Sequence, residues 1–203
     1  MHSGDSYTST GFNASLEAPS IQNPMGNPAL GHYLTRTGEK TATDGINWLG
    51  HTVTEFNQSS ILSYKFAAYG ATVDNSIIPA VPKDLHYCKE NAVWITTSSI
   101  FGIWVGINDV YISPEFDDSL AKISSTIQSY TSLLNDLYLC GARRFFVMNV
   151  PPISRTPAML SNPVQHQVAV DQGTLNFNFQ LELMVALWSN HHTKVSITIN
   201  LDP

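Results

Sequence analysis

Ser98-Ser99-Ile100-Phe101-Gly102-Ile103-Trp104-Val105 turns continuously apolar after two serines, the pattern of a strand buried on both faces. It ends in Gly106-Ile107-Asn108-Asp109, which sets polar groups at the carboxyl end of a core strand. Downstream, residues 117–139 read as the clearest helix of the chain. Asp117 or Asp118 can cap it, and Leu120, Ile123, Ile127, Tyr130, Leu134 and Leu137 form one apolar stripe. Gly141 ends that helix. Residues 143–150 then give another strand, stopped by Pro151-Pro152. Strand, helix, strand in this order implies a right-handed crossover and a parallel sheet.

Residues 175–187 fit two patterns. Leu175, Phe179, Leu183 and Leu187 recur every four residues, while Leu175, Phe177, Phe179, Leu181, Leu183 and Val185 alternate like a strand. A helix is expected, because parallel neighbours need a crossover. Residues 194–201 supply the last strand. Residues 63–68 read as a strand closed by Gly70. Between Glu17 and Gly50, three prolines and four glycines ahead of Gly50 with few aliphatics predict a long irregular loop. A short helical run with Leu49, Val53 and Phe56 follows. The whole is expected to be α/β, a three-layer sandwich with a mostly parallel sheet, in one domain over residues 1–203.

With 13% charged residues, 43% hydrophobic ones and a net charge of −6, the composition suits a surface of Ser, Thr, Asn and Gln. Nucleic acid is disfavoured as a partner, since Arg143-Arg144 is the most basic cluster. No apolar run reaches membrane-spanning length and no signal peptide is read, so no membrane partner is expected. Asn13-Ala14-Ser15 and Asn57-Gln58-Ser59 are glycosylation sequons that lean towards a secreted complete protein. Cys88 and Cys140 match no metal spacing and are read as two separate half-buried thiols. Adjacent His191-His192 lacks a third ligand with useful spacing, and neither a metal nor a cofactor is expected.

At the amino end stands Ser3-Gly4-Asp5-Ser6-Tyr7-Thr8-Ser9-Thr10-Gly11. Gly-Asp before a serine, with small hydroxylated residues after it, suits a tight strand-to-helix turn that presents the Ser6 hydroxyl. Gly70-Ala71-Thr72-Val73 is a small-residue turn where backbone can approach a ligand. Asn108 can donate its side-chain amide to a developing oxyanion. Each motif is cheap alone: an N-capping turn, a strand-ending glycine and an Asn-Asp turn explain them one by one.

Together, and in this order, Gly4-Asp5-Ser6, Gly70 and Gly106-Ile107-Asn108-Asp109 resemble the first three sequence blocks of the GDSL (SGNH) hydrolases. The wider context, from Asp5 to Phe12, Asn23 to Pro28, Gly106 to Val110 and Asn149 to Arg155, looks like the secreted fungal acetylesterases of that family, which act on acetylated carbohydrates. The resemblance covers nearly all 203 residues. It implies a flavodoxin-like, SGNH-type fold with sheet order 2-1-3-4-5. It also implies Ser6 as nucleophile, with the Ser6 N–H, the Gly70 N–H and the Asn108 amide as oxyanion hole. The substrate is expected to be a small acyl ester or acetylated carbohydrate, and the protein a monomer.

Two departures are expected to matter. The family's first strand should precede Gly4, where only Met1, His2 and Ser3 stand, so the turn is expected to lack its strand. The Asp-x-x-His block that supplies the family's base occurs nowhere in the sequence. A chain incomplete at both ends is expected, with activity far below that of a complete enzyme. Of His2, His32, His51, His86, His166, His191 and His192, His166 is the least implausible substitute base. The alternative reading is an inactive fragment or carbohydrate-binding remnant, using the 17–50 loop and Trp48. A nucleotide-binding domain fares poorly, because no G-x-G-x-x-G follows a strand.

Overall fold

The computed structural model describes residues 1–13, 15–28, 41–43, 45–57, 59–74, 94–111 and 116–200, with backbone alone at 116–121 and 200. Four parallel strands lie in the order β1 (His2–Gly4), β2 (Phe101–Trp104), β3 (Arg144–Met148), β4 (Ser196–Asn200). Between them run α1 (Trp48–Thr54), α2 (Ile107–Tyr111), α3 (Phe116–Leu139), a single 3-10 turn (Ile153–Arg155), α4 (Pro157–Leu160) and α5 (Val164–His191).

Alternation along the strands sorts the layers. Phe101, Ile103, Phe145 and Val147 face one way into a core shared with Ile123, Ile127, Tyr130 and Leu134 of α3 and with Phe177, Leu181 and Trp188 of α5. Successive crossovers β2–α3–β3–α5–β4 of one hand place both long helices on that face. Trp104 points the other way and meets Trp48 of α1, ring centroids 5.8 Å apart. Helices therefore cover both faces of the sheet, as the sequence predicts.

One expectation is overturned. The turn at Ser6 does have a strand: β1 pairs in parallel with β2, His2 opposite Gly102 and Gly4 opposite Trp104. On its other side residues 64–68 run alongside. His2 N–H donates to the Tyr64 carbonyl at 2.8 Å, Phe66 N–H to His2 at 2.7 Å and Ala68 N–H to Gly4 at 3.0 Å. The segment predicted as a strand at 63–68 is a single bridge, His2 with Lys65, extended by these bonds. Counting it, the sheet runs 2-1-3-4-5. Three residues are too few to show any periodicity, so β1 was invisible in sequence although its neighbours specify it fully.

Cys140 corrects a second expectation. Buried just after α3, it is disulfide-bonded rather than a free thiol; Cys88 lies outside the described residues. Two cysteines far apart in sequence carry no spacing signal from which a bond could be read.

The long helix α5 bears out the helix expected over residues 175–187 and runs well beyond it. Its core-facing seam is Val170, Thr174, Phe177, Leu181, Met184, Val185 and Trp188, steps of three and four that fit one helix face. The four-residue set Leu175, Phe179, Leu183 and Leu187 faces outward instead. Both faces are apolar, so periodicity alone could not choose between them.

Candidate active site

At the carboxyl edge of β1 and β2, three segments are laced together. Asp5 N–H donates to the Trp104 carbonyl (3.2 Å), joining the Ser6 turn to β2. The turn itself closes through Thr8 and Ser9 N–H groups on the Asp5 carbonyl (3.1 and 3.0 Å), while Tyr7 N–H donates to Asp5 Oδ1 at 3.0 Å. Such side-chain-to-backbone bonding is the reason an Asp suits this position. Asn47 holds the far end, capping α1 through Gly50 N–H and donating from Nδ2 to the Ser9 carbonyl. Trp48 Nε1 reaches Thr8 Oγ1 at 3.3 Å.

The second segment is 68–73. Gly70 has φ +73, a left-handed conformation that favours glycine. The third follows β2. Gly106, at φ +128, would bring a Cβ to 2.5 Å from the Phe177 ring, so only glycine fits between β2 and α2. From α2, Asn108 Nδ2 donates to the Ala71 carbonyl at 2.8 Å. Val73 N–H is clamped by both Asp109 carboxylate oxygens, at 3.2 and 3.1 Å. Thus the segments bearing Ser6, Gly70 and Asn108 meet at one edge, where open parallel sheets bind ligands.

The sequence reading missed the aromatic wall beside them. Tyr7 packs edge-on against Trp104 (5.3 Å), Trp104 against Trp48, and Trp48 against His2 (6.0 Å). Tyr7 is 38% exposed and immediately follows Ser6. Its adjacency to the serine was the available signal. Trp48, to which one reading gave sugar binding, braces the turn through Thr8.

Two buried carboxylates sit under the site. Burial pushes Asp5 up to about 6, against the Tyr7 N–H bond that lowers it, with the Asp109 charge adding to the rise. Burial likewise takes Asp109 to about 6, opposed by the Val73 N–H and reinforced by Asp74. Below β1, burial drives His2 down to about 3, helped by the terminal ammonium and Lys65. Lys65 itself falls to about 8 for the same reason. His2 is thus a neutral, half-buried ring whose buried Nδ1 lies under Gly102.

The other histidines are placed as follows. His51 pairs with Glu55 on exposed α1 (2.8 Å). His166, in the first turn of α5, meets the Tyr111 ring edge-on at 6.2 Å. His192 stacks on Trp188 at 4.1 Å, with Nδ1 by the Trp188 carbonyl, and His191 closes α5. His32 and His86 lie outside the described residues. Among the described residues no group of three or more His, Cys, Asp or Glu side chains is placed to hold a metal ion, and no helix is long and apolar enough to cross a membrane.

A parallel α/β sheet with a serine turn, a glycine turn and an asparagine gathered at its carboxyl edge defines a class of candidate hydrolases. Comparison with known proteins narrows it. The model of the GDSL-like lipase/acylhydrolase family matches residues 1–199, and the chain belongs to that family. It is 40% identical over 176 residues to an acetylesterase of Thermothelomyces thermophilus, across 78% of this chain and 55% of that protein. The chain therefore spans about half the length of that curated relative. Among solved structures, an extracellular lipase from Streptomyces rimosus superposes with TM-score 0.49 at 12% identity, over 98% of this chain and 78% of that one.

Proposed function

We infer that this chain carries the nucleophile and oxyanion-hole portion of a serine esterase that cleaves acetyl or short acyl esters of carbohydrates. The observation that carries the reading is the lacing of the Ser6 turn, the Gly70 loop and Asn108 at one sheet edge. Ser6 Oγ bonds to the ester carbonyl carbon while its proton passes to a base. The Ser6 and Gly70 N–H groups and the Asn108 amide hold the resulting oxyanion. Collapse breaks the bond to the sugar oxygen, which leaves with a proton, and water then frees the acid. Asn108 Nδ2 already spends one hydrogen on Ala71, which fixes the amide and leaves the second to donate.

Of the candidate bases, His166 meets the Tyr111 ring edge-on. Tyr7, exposed beside Ser6 and backed by Trp104, supports a sugar as the acyl carrier, since pyranose rings lie on aromatic faces. The test is labelling of the folded chain with a fluorophosphonate probe. Slow labelling that disappears in Ser6→Ala is expected. A folded chain that takes up no probe would leave only the second reading, a binding remnant of the same fold.

An extracellular location is part of this proposal, supported by the sparse charge and the sequons. The two sequons differ in structure. Asn13 is exposed and uses Oδ1 to accept from Ser15 N–H, which leaves Nδ2 open. Asn57 Nδ2 donates to the Val53 carbonyl at the end of α1. Expressed through a eukaryotic secretory pathway, the chain is expected to carry a glycan at exposed Asn13. Peptide mass mapping reads this directly.

A further inference from the structure

We propose that the outer face of α5 is a two-fold interface through which two copies of this chain pair, their α5 helices antiparallel. The face presents Leu175 (65% exposed), Phe179 (65%), Leu183 (51%) and Leu187 (53%) in one row, extended by exposed Val168. From Leu175 to Leu187 the row runs about 18 Å at 1.5 Å per residue. Over the whole of α5 only Asp171 and Glu182 carry a formal charge. A solvated helix face is normally the charged one.

The area is large enough for a second copy to cover. Half-exposed Leu and Phe side chains present roughly 100 Å² each, so the row covers about 500 Å², at the upper end of what monomers leave exposed. With flanking Gln172, Ala186 and the groove beside them, it approaches the roughly 800 Å² per partner of a stable interface.

Shape points the same way. A two-fold interface must both present and accept the same features. Between α3 and α5 lies a groove of about 460 Å³, walled by Ile127, Thr131, Leu183, Met184 and Leu187. Asn135, which accepts from Trp188 Nε1 at 2.8 Å, closes its floor. The Leu175–Phe179 ridge lies just N-terminal of this groove on the same helix. Turning a second copy about an axis between residues 179 and 183 sets Phe179 of each chain over Leu183 of the other, at the mouth of its groove. Leu175 then meets Leu187. Ridge enters groove twice. This departs from the monomer expected from the sequence.

The experiment is light-scattering mass measurement of the 203-residue chain after size exclusion, across a concentration series. A plateau at twice the 22.3 kDa chain mass is expected. Phe179→Lys and Leu183→Glu, both at exposed positions, are each expected to give monomers with unchanged circular dichroism. Mixed in equal amounts they are expected to restore the dimer, because the mixed pair holds one Lys–Glu contact and one native Phe–Leu contact. A wild-type mass that stays at one chain, or climbs without a plateau, overturns the proposal. So does a wild-type dimer whose two variants fail to pair when mixed, since that excludes this register.

Discussion

Gly4→Ala is expected to cost about 3 kcal/mol or more of stability, a large share of the 5–15 kcal/mol that holds an ordinary domain. A Cβ at position 4 would stand 2.3 Å from the Trp104 carbonyl oxygen and 3.2 Å from its carbon. Both are backbone atoms, so no rotamer change relieves the clash. Moving β1 away strains two bonds at once: Gly4 accepts from Ala68 N–H, and Asp5 donates to that same Trp104 carbonyl. The control is Gly45→Ala, where the nearest atom to a new Cβ is 3.9 Å away and the change should stay within about 0.5 kcal/mol. Urea unfolding midpoints of the two variants decide it. A loss below about 1 kcal/mol in Gly4→Ala would show that β1 and β2 are not so close.

Asp109→Asn is expected to change stability in a pH-dependent way. The Asp109 carboxyl titrates near 6 in the folded chain and at its ordinary 3.8 when unfolded. Between those values the folded state binds more protons. Stability conferred by the neutral acid is therefore fully present below about pH 4, falls as pH rises towards 6, and stays lost above. At 1.36 kcal/mol per unit, the shift corresponds to about 3 kcal/mol. Asparagine keeps an oxygen for the Val73 N–H and never ionises, though its extra N–H needs a partner. The variant should thus gain about 1–2 kcal/mol over the parent at pH 7.5, with the advantage shrinking or reversing near pH 4. Taking the difference between variant and parent cancels His2, whose depressed pKa makes it lose stability as pH falls from 6.5 towards 3. Melting curves at the two pH values suffice. A difference that does not vary with pH would mean the carboxyl is not desolvated as the structure has it.

How much of this was legible in the sequence depended on length and on who the neighbours are. β2, α3 and β3 were readable because each is long or strongly patterned: Ile123, Ile127, Tyr130, Leu134 and Leu137 are all buried as their spacing implies. β1 was not, because its evidence lies in Lys65 and Gly102 rather than in itself. On α5 the more regular apolar row proved to be the outer one, since period tells that a face is apolar and not which way it looks. At the site, the three segments bearing Ser6, Gly70 and Asn108 were named from motif order. The clamp of Asp109 on Val73 and the brace of Trp48 on Thr8 depend on contacts between distant segments. No local pattern encodes those.

The brevity of β1 has a consequence for how function would be lost. Residues 101–200 carry three of the four strands and both long helices. The serine turn is held from both sides by segments remote in the chain, 64–68 and 101–104, and closing such large loops is entropically expensive and late. An opening confined to β1 would separate Ser6 from Gly70 and Asn108 while leaving the helical content almost untouched. Heat or mild denaturant would then part these segments before the chain unfolds, and a circular dichroism signal would report a native protein whose Ser6 turn had already come adrift.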